Sequence, residues 1–543
     1  MRSLQKILFI ILIASFTACS NKEIDNRVVF KLNMDVGVTS LDPAFARNQM
    51  NVWCVNHLFN GLTQLDQKLK VIPSIAKSWE HTKDGLKYTF HLRSDVFFHD
   101  HELFANGKGR RVVANDFVYS FSRIIDPKTA SAGAWIFNDK IASPNSFKAI
   151  NDSTFEITLS KPFPAFPSLL SIQYCSVVPK EICEYYGKEF RNHPVGTGPF
   201  KFKYWKEGEV MVFLKNEHYF EKENGQALPY LDAIKISFIS DKQTAFLAFL
   251  KNDLDFFSGI DGSYRNDILN KNGTLKKKYK NRFTLIKSPY LNTEYLGMLV
   301  DVNLPIVKNS PLKDKRIRQA INYAIDRKKM IQYLQNSIGI PGHAGFLPEG
   351  MPGYDSSKVK GYSYQPEKVK QLLKEAGYPE GKNMPEITLN TTSTYRDLIE
   401  FVQSELQSFG IKTKVEVHQG SSLRELISKN NVNFFRGSWI ADYPDGENYL
   451  AVFYSKNFVP NGPNYTHFSN PKFDKLFEES FYQPNDSLRL SMYQEMERIV
   501  LDESPMVILY YDQSVRLIPK NISGLPSNPL NILDLKRTKK TIN

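Results

Sequence analysis

Residues 86–92, Leu-Lys-Tyr-Thr-Phe-His-Leu, alternate apolar and polar side chains without a break, the period of a strand with one buried face. Residues 154–159 repeat it through Phe155, Ile157 and Leu159, and Ile234, Ile236 and Phe238 do so again. A helical period follows Asn115, which reads as its cap: Phe117, Val118, Phe121, Ile124 and Ile125 form the stripe, and Asp126-Pro127 stops it. The longest helical pattern covers residues 311–336, with Ile317, Ala320, Ile321, Ala324, Ile325 and Ile331 on one face and Lys and Arg on the other. Another helix opens on Pro366, carries Val369, Leu372, Leu373 and Ala376, and ends at Gly377 and Pro379. Residues 385–391 then read as a strand, 394–409 as a helix and 411–417 as a strand, which is an α/β unit. The chain is therefore predicted to be mixed α/β, β-richer before residue 240, with no internal repeat.

Composition adds a compartment and removes some functions. Hydrophobic residues make up 42% and charged residues 23%, the range of a globular body, and the length implies two or more domains. Arg2 and Lys6 precede an uncharged run at residues 7–16, then Thr17, Ala18 and Cys19. This is the layout of a secretory signal peptide. Small residues ending at a cysteine resemble the lipobox of bacterial lipoproteins, which implies cleavage after residue 18 and a lipid on Cys19. The alternative is an ordinary signal peptide cut near Ala18. The tract from Ser20 onward is polar enough for a tether. No later segment reaches the roughly 18 uninterrupted apolar residues of a membrane span. The net charge of +13 is spread out, with Lys276-Lys277-Lys278 and Lys539-Lys540 as the compact clusters. No nucleic-acid partner is expected of such a pattern in an exported chain. Cys54, Cys175 and Cys183 are too few for a disulfide scaffold; Cys175 and Cys183 can pair or stay free, and Cys54 reads as a small buried hydrophobe.

Catalytic and cofactor motifs are absent. There is no G-x-S-x-G elbow, no H-E-x-x-H helix and no G-x-x-x-x-G-K-[ST] phosphate loop. Gly196-Thr197-Gly198-Pro199 lacks the third glycine of a dinucleotide fingerprint and reads as a turn. His99-Asp100-His101-Glu102 offers four ligand types in a row, but neighbours on a loop rarely surround one ion. No cofactor, no metal and no catalysis are expected.

The densest chemistry lies at Phe435-Arg436-Gly437-Ser438-Trp439-Ile440-Ala441-Asp442-Tyr443-Pro444-Asp445. An arginine and an acid this close in sequence can grip opposite ends of a small zwitterion, with the tryptophan over its apolar middle. The cluster is equally a surface loop with an internal ion pair.

Its company along the chain points further. Thr39-Ser40-Leu41-Asp42-Pro43 is followed by Leu58-Phe59-Asn60-Gly61-Leu62 and by Ile72-Pro73-Ser74-Ile75-Ala76-Lys77-Ser78-Trp79. Then come Tyr88-Thr89-Phe90-His91-Leu92-Arg93, Val112-Val113-Ala114-Asn115-Asp116-Phe117-Val118-Tyr119-Ser120, Gly196-Thr197-Gly198-Pro199-Phe200, Asp314-Lys315-Arg316-Ile317-Arg318-Gln319-Ala320 and Trp439-Ile440-Ala441-Asp442-Tyr443-Pro444. In this order they resemble the extracytoplasmic solute-binding proteins of the peptide, dipeptide and nickel class, which serve ABC importers. Residues 104–111 look like an insertion relative to that pattern.

The resemblance implies an α/β, two-lobed periplasmic-binding-protein-like fold with an extra β-rich domain on the first lobe. Lobe I would comprise residues 19–64, 178–289 and 510–543, the extra domain 65–177, and lobe II 290–509, with crossings near Pro289 and residues 505–510. It implies an interlobe cleft for a peptide. Asp442 would meet the α-ammonium, Arg436 matches a carboxylate partner of some oligopeptide binders, Trp439 would wall a side-chain pocket, and Gly37, Val38 and Thr39 would pair with the peptide backbone. The implied partners are an ABC permease with its ATPase and, through the lipid, a membrane. A monomer outside the cytoplasm is expected. Nickel chelates and oligosaccharides are the alternative solutes; an enzyme or adhesin on the same fold is the alternative class.

Overall fold

The computed structural model describes residues 27–260 and 262–542. The expected signal peptide and Cys19 lie outside the described residues. Among the described residues no helix is long and apolar enough to cross a membrane.

Two four-stranded sheets and one seven-stranded sheet carry the architecture. The first runs Val29–Asn33, Ala233–Ser237, Val210–Lys215, Phe200–Lys206, with only the first pair parallel. The second is antiparallel, in the order Ala76–His81, Lys87–Leu92, Thr154–Thr158, Phe147–Asn151. The alternating stretches read from the sequence are its central strands: Tyr88, Phe90 and Leu92 face inward from one, Phe155 and Ile157 from the other. The helix Ala114–Ile125 covers this face, with the rings of Phe117 and Phe121 against Phe155. Burying each such phenylalanine contributes about 1.5–3 kcal/mol.

The large sheet contains two strands that join the lobes. Phe283–Met298 and Met506–Pro519 pair antiparallel from Phe283 opposite Pro519 to Gly297 opposite Met506. Their register breaks between Pro289 and Thr293, opposite Gln513 and Tyr511. One end packs with Phe246, Phe249 and Leu517; the other enters two cores built almost wholly from residues beyond 290, with Leu69 added to one. Beyond it lie Phe434–Ile440, Ile387–Thr392 and Thr413–His418. The last two are parallel and joined by the helix Arg396–Gln407, the α/β unit expected from the pattern.

Three local expectations change. The helical pattern at 311–336 is two helices, Lys315–Ala324 and Arg327–Gln335, because Asp326 caps the second by accepting from Lys329 N at 3.0 Å. Its basic residues do not all face solvent. Arg318 and Arg327 are 5% and 4% exposed and donate to backbone carbonyls, Arg318 to Glu503 and Ser504, Arg327 to Ile508 and Asn322. Asn115 is not a cap: the helix starts one residue earlier, and the Asp116 carboxylate takes the Val113 amide at 2.8 Å. Cys54 is a buried hydrophobe as expected, and of the two alternatives left for Cys175 and Cys183 the structure has both as free, buried thiols.

Several motifs do structural work. Asp42 of Leu41-Asp42-Pro43 is buried, accepts from Ala44 N at 3.0 Å, and is gripped by both terminal nitrogens of Arg123 at 2.9 and 2.5 Å. That pair ties the Leu41-Asp42-Pro43 segment to the helix Ala114–Ile125. Gly198 donates to the Leu58 carbonyl at 2.9 Å, and Thr197 donates to Asn60 at 3.1 Å. A Cβ on Gly198 would lie 2.4 Å from the Leu58 carbonyl carbon, so only glycine lets these two segments meet.

Candidate functional site

The strand Phe434–Ile440 aims the 435–445 cluster at the space between the lobes. Gly437 is required midway along it, because a Cβ there would lie 2.6 Å from the Tyr295 ring on the neighbouring strand. Past the strand, Ala441 N donates to Leu291 O at 2.9 Å, and the Tyr449 hydroxyl ties Leu291 O and Trp439 O at 2.8 and 3.0 Å. Asn448 organises the turn. Its Oδ1 accepts from Trp439 Nε1 at 3.2 Å and from Asp442 N at 3.3 Å, and its Nδ2 donates to Asp442 Oδ2 at 3.3 Å.

Asn448 is itself held by the short helix Gly446–Leu450. Asp445 caps that helix at Glu447 N, 2.9 Å away, and is fixed by Arg489 at 2.6 Å and the Tyr493 hydroxyl at 2.8 Å. Gly446 fits under Tyr493, whose ring would lie 2.7 Å from a Cβ there. The second acid of the cluster is thus a scaffold member.

Asp442 stands at one wall of a cavity of about 220 Å³. Arg47, Gln49 and Val52 come from lobe I, Trp135 and Tyr174 from the β-rich domain, and Tyr290 from the crossing strand. Asp442 keeps solvent-exposed surface, yet the surrounding walls desolvate its carboxyl and push its pKa up, opposed by the Asn448 amide. Among the described residues no cation pairs with it. Next to it, Tyr443 is buried against the β-rich domain, stacked on Trp135 at 6.2 Å and edge-on to Phe163 at 6.2 Å. A larger cavity of about 520 Å³ adjoins on the lobe I side, sharing Asn56, Leu65 and Ile172. Two of its basic groups are already paired, Lys536 with Glu221 and Arg537 with Glu223; Lys68 also lines it.

The structure does not bring Arg436 to Asp442. The Arg436 guanidinium pairs with the buried Glu294 carboxylate of the crossing strand and lies over the Tyr395 ring. Burial pushes the Glu294 carboxyl up, opposed by Arg436. The Asn292 amide links Glu294, at 3.1 Å, to Asp512, at 3.3 Å, on the partner strand. Trp439 is half-buried against the lobe II core and does not line the cavity.

Gly37, Val38 and Thr39 lie in irregular chain after the strand Val29–Asn33. Thr39 is held by Asn51 at 3.1 Å, and the Val38 side chain is buried. Among the described residues the backbones of Gly37 and Val38 bond to no other segment. Asp35, just before the segment, lines a further cavity of about 450 Å³ that shares Gln49 with the Asp442 cavity. His99 Nε2 donates to Gly198 O, 3.0 Å away, and Asp100 takes Lys108 and Gly109 N, so neighbours already engage this histidine–acid run.

Sequence reasoning missed Asn448 and Arg47. An asparagine in a short helix and a single arginine in a loop carry no local signal; only the fold puts them at the cavity.

A pair of long crossing strands frames the cavities beside Asp442, and the family of the chain says what kind of protein carries them. The sequence matches the bacterial extracellular solute-binding proteins, family 5 (middle region), over residues 70–461, and the chain belongs to that family, whose members serve ABC importers. Heme-binding protein A of Haemophilus influenzae is 26% identical over 476 residues, covering 84% of this chain and 82% of its own. The dipeptide-binding protein of Escherichia coli is 25% identical over 478 residues, covering 85% and 84%. The unliganded open form of the periplasmic murein tripeptide binding protein MppA superposes with a TM-score of 0.80 over 95% of this chain and 98% of that one, at 23% identity.

Proposed function

We propose that this protein captures peptides with a free N-terminus in the interlobe cleft and delivers them to an ABC permease, as a monomer held at a membrane by lipid on Cys19. The observation that carries the reading is Asp442, a carboxylate at the cavity wall with no cation paired to it among the described residues. A bare anion in a partly desolvated cleft attracts a ligand ammonium, and a charge-assisted hydrogen bond there contributes about 1.5–3 kcal/mol. Gly37, Val38 and Thr39 can add the peptide as a strand, since backbone bonding there is largely unused. Trp439 and Arg436 stand behind Asp442 in this reading; a solute carboxylate reaches Arg436 only by displacing Glu294. The dipeptide-binding relative supports the solute class.

The test is a double cycle by calorimetry, free against N-acetylated peptides, wild type against Asp442→Asn. Leaving an ammonium without its counter-charge should cost about 2–5 kcal/mol, roughly thirtyfold to several-thousandfold in affinity. Acetylated peptides should bind the wild type poorly and lose little more in the variant. If acetylation leaves wild-type binding intact, Asp442 holds no ammonium, and nickel chelates and oligosaccharides become the solutes to try.

A further inference from the structure

The cavity beside Asp442 has a second charged wall. Of the side chains that line it, two carry charge: Asp442 from lobe II and Arg47 from lobe I. Arg47 is exposed, and among the described residues no hydrogen bond, ion pair or aromatic ring engages its guanidinium. No ion pair joins it to Asp442, so the two charges face one space without cancelling each other.

Arg47 also sits at a favourable place for an anion. It immediately precedes Asn48, the cap of the helix Gln49–Leu58, whose side chain accepts from Asn51 N at 2.9 Å. Arg47, Asn48 and Gln49 all line the cavity, so the positive end of that helix dipole borders the same space as the guanidinium. The Tyr174 phenol reports both groups. Burial raises its pKa most, Arg47 pulls it down and Asp442 pushes it up, so all three share one electrostatic neighbourhood. Arg436, by contrast, is committed to Glu294 and lines none of this cavity.

We infer that Arg47 is the anion receptor of the cleft: it takes a carboxylate of the solute while Asp442 takes the ammonium. An unengaged arginine is suited to this, because its planar fork meets a carboxylate with two parallel hydrogen bonds. The inference rests on the reading of Asp442 as an ammonium site and adds the other end of the ligand. It makes the preferred solute a zwitterion held between lobes, not a peptide recognised at its N-terminus alone. The carboxylate can be a C-terminus or an acidic side chain, and the assay separates these.

The experiment uses the immobilised full chain and a mixed tripeptide library in three forms: free, N-acetylated and C-amidated, each with Glu and Gln members. Retained peptides are quantified by mass spectrometry for wild type, Arg47→Gln and Arg47→Lys, with circular dichroism confirming the fold. The expected result is that amidation lowers wild-type retention by roughly ten- to a hundredfold, the size of a lost charge-assisted bond. Arg47→Gln should lower retention of free peptides equally and amidated ones hardly further, and Arg47→Lys should recover part. If Glu members alone survive amidation and lose this advantage in Arg47→Gln, the carboxylate is a side chain, and the inference stands. If amidated and free peptides are retained alike while acetylated ones are lost, Arg47 is not the receptor but the Asp442 reading stands. If Arg47→Gln weakens free and amidated peptides alike, Arg47 acts only on the cleft's shape and the inference fails. Retention of no peptide by the wild type overturns both.

Discussion

Glu497 offers the clearest handle on stability. It sits on the helix Asp486–Glu503, is 2% exposed, and accepts from Leu347 N at 2.8 Å. Gly345 lies so close that a Cβ there would come within 2.0 Å of the carboxylate. Burial pushes its pKa up from 4.5 to about 8, opposed by the amides of Leu347 and Phe346 and the charge of Arg498. The folded value lies above the unfolded one. The group's contribution is therefore fully present below pH 4.5 and is lost as pH rises through 8. The interval corresponds to about 5 kcal/mol in full, of which under about 1 kcal/mol is lost by pH 5 and about 4 kcal/mol by pH 8. Glu497→Gln keeps an acceptor for Leu347 N and cannot ionise, so it mimics the protonated acid. It should match wild type at pH 5 and exceed it by several kcal/mol at pH 8. Urea unfolding followed by tryptophan fluorescence at half-unit pH steps measures this, with the slope against denaturant unchanged. The other carboxyls raised by burial, Glu294, Asp442, Glu447 and Asp512, tilt both proteins in the same sense and leave the difference to Glu497. Stability profiles that run parallel from pH 5 to 8.5 would refute the assignment.

Asp42→Asn should cost about 3 kcal/mol, the low end for a broken buried pair because Arg123 retains some exposure, and urea titration at pH 7 reads it. A loss within 0.5 kcal/mol, the range of ordinary surface changes, would show that the Asp42–Arg123 pair does not tie the two segments. Small-angle scattering should show a smaller radius of gyration with saturating peptide, through bending at the register break between Pro289 and Thr293; an unchanged profile counts against hinge closure. Cys19→Ala should move the protein from the membrane to the soluble fraction, and a wild type already soluble would remove the lipid anchor.

What the sequence revealed follows the range of the interactions. Periodic burial is local, so the strands at 87–92 and 154–158 and the unit at 387–418 were legible from side-chain spacing. The apolar stripe through Ile317, Ile321, Ala324 and Ile325 continues across the Asp326 break, so spacing alone merged two helices; the capping aspartate before Arg327 was the available signal. Arg318 and Arg327 defeat the rule that puts charge on the solvent face. Each serves carbonyls more than 180 residues away, at Glu503 and Ile508, and nothing local announces that. The same holds at the site. The loop that puts Asp442 at a cavity wall was legible, whereas the engagement of Arg436 by Glu294 depends on strand pairing, and the placement of Arg47 in the same cavity depends on distant segments meeting.

That last dependence has an energetic meaning. Arg47 and Asp442 come from different lobes, so a ligand bound to one charge alone favours neither the open nor the closed cleft. A ligand of equal affinity for two states shifts nothing, however tightly it binds. A zwitterion long enough to reach both gains its second charge-assisted bond only when the lobes approach. That bond contributes about 1.5–3 kcal/mol, which moves the closed-to-open ratio by roughly ten- to a hundredfold. Tyr443 already packs on Trp135 and Phe163 beside Asp442, so the loop that carries the anion also rides on the β-rich domain. On this proposal the gap between the two unpaired charges selects solute length, and the roomier cavities on either side take the side chains. Scattering data on free, acetylated and amidated forms of one peptide separate the contributions: the free form should contract the protein, and either blocked form should bind without contracting it.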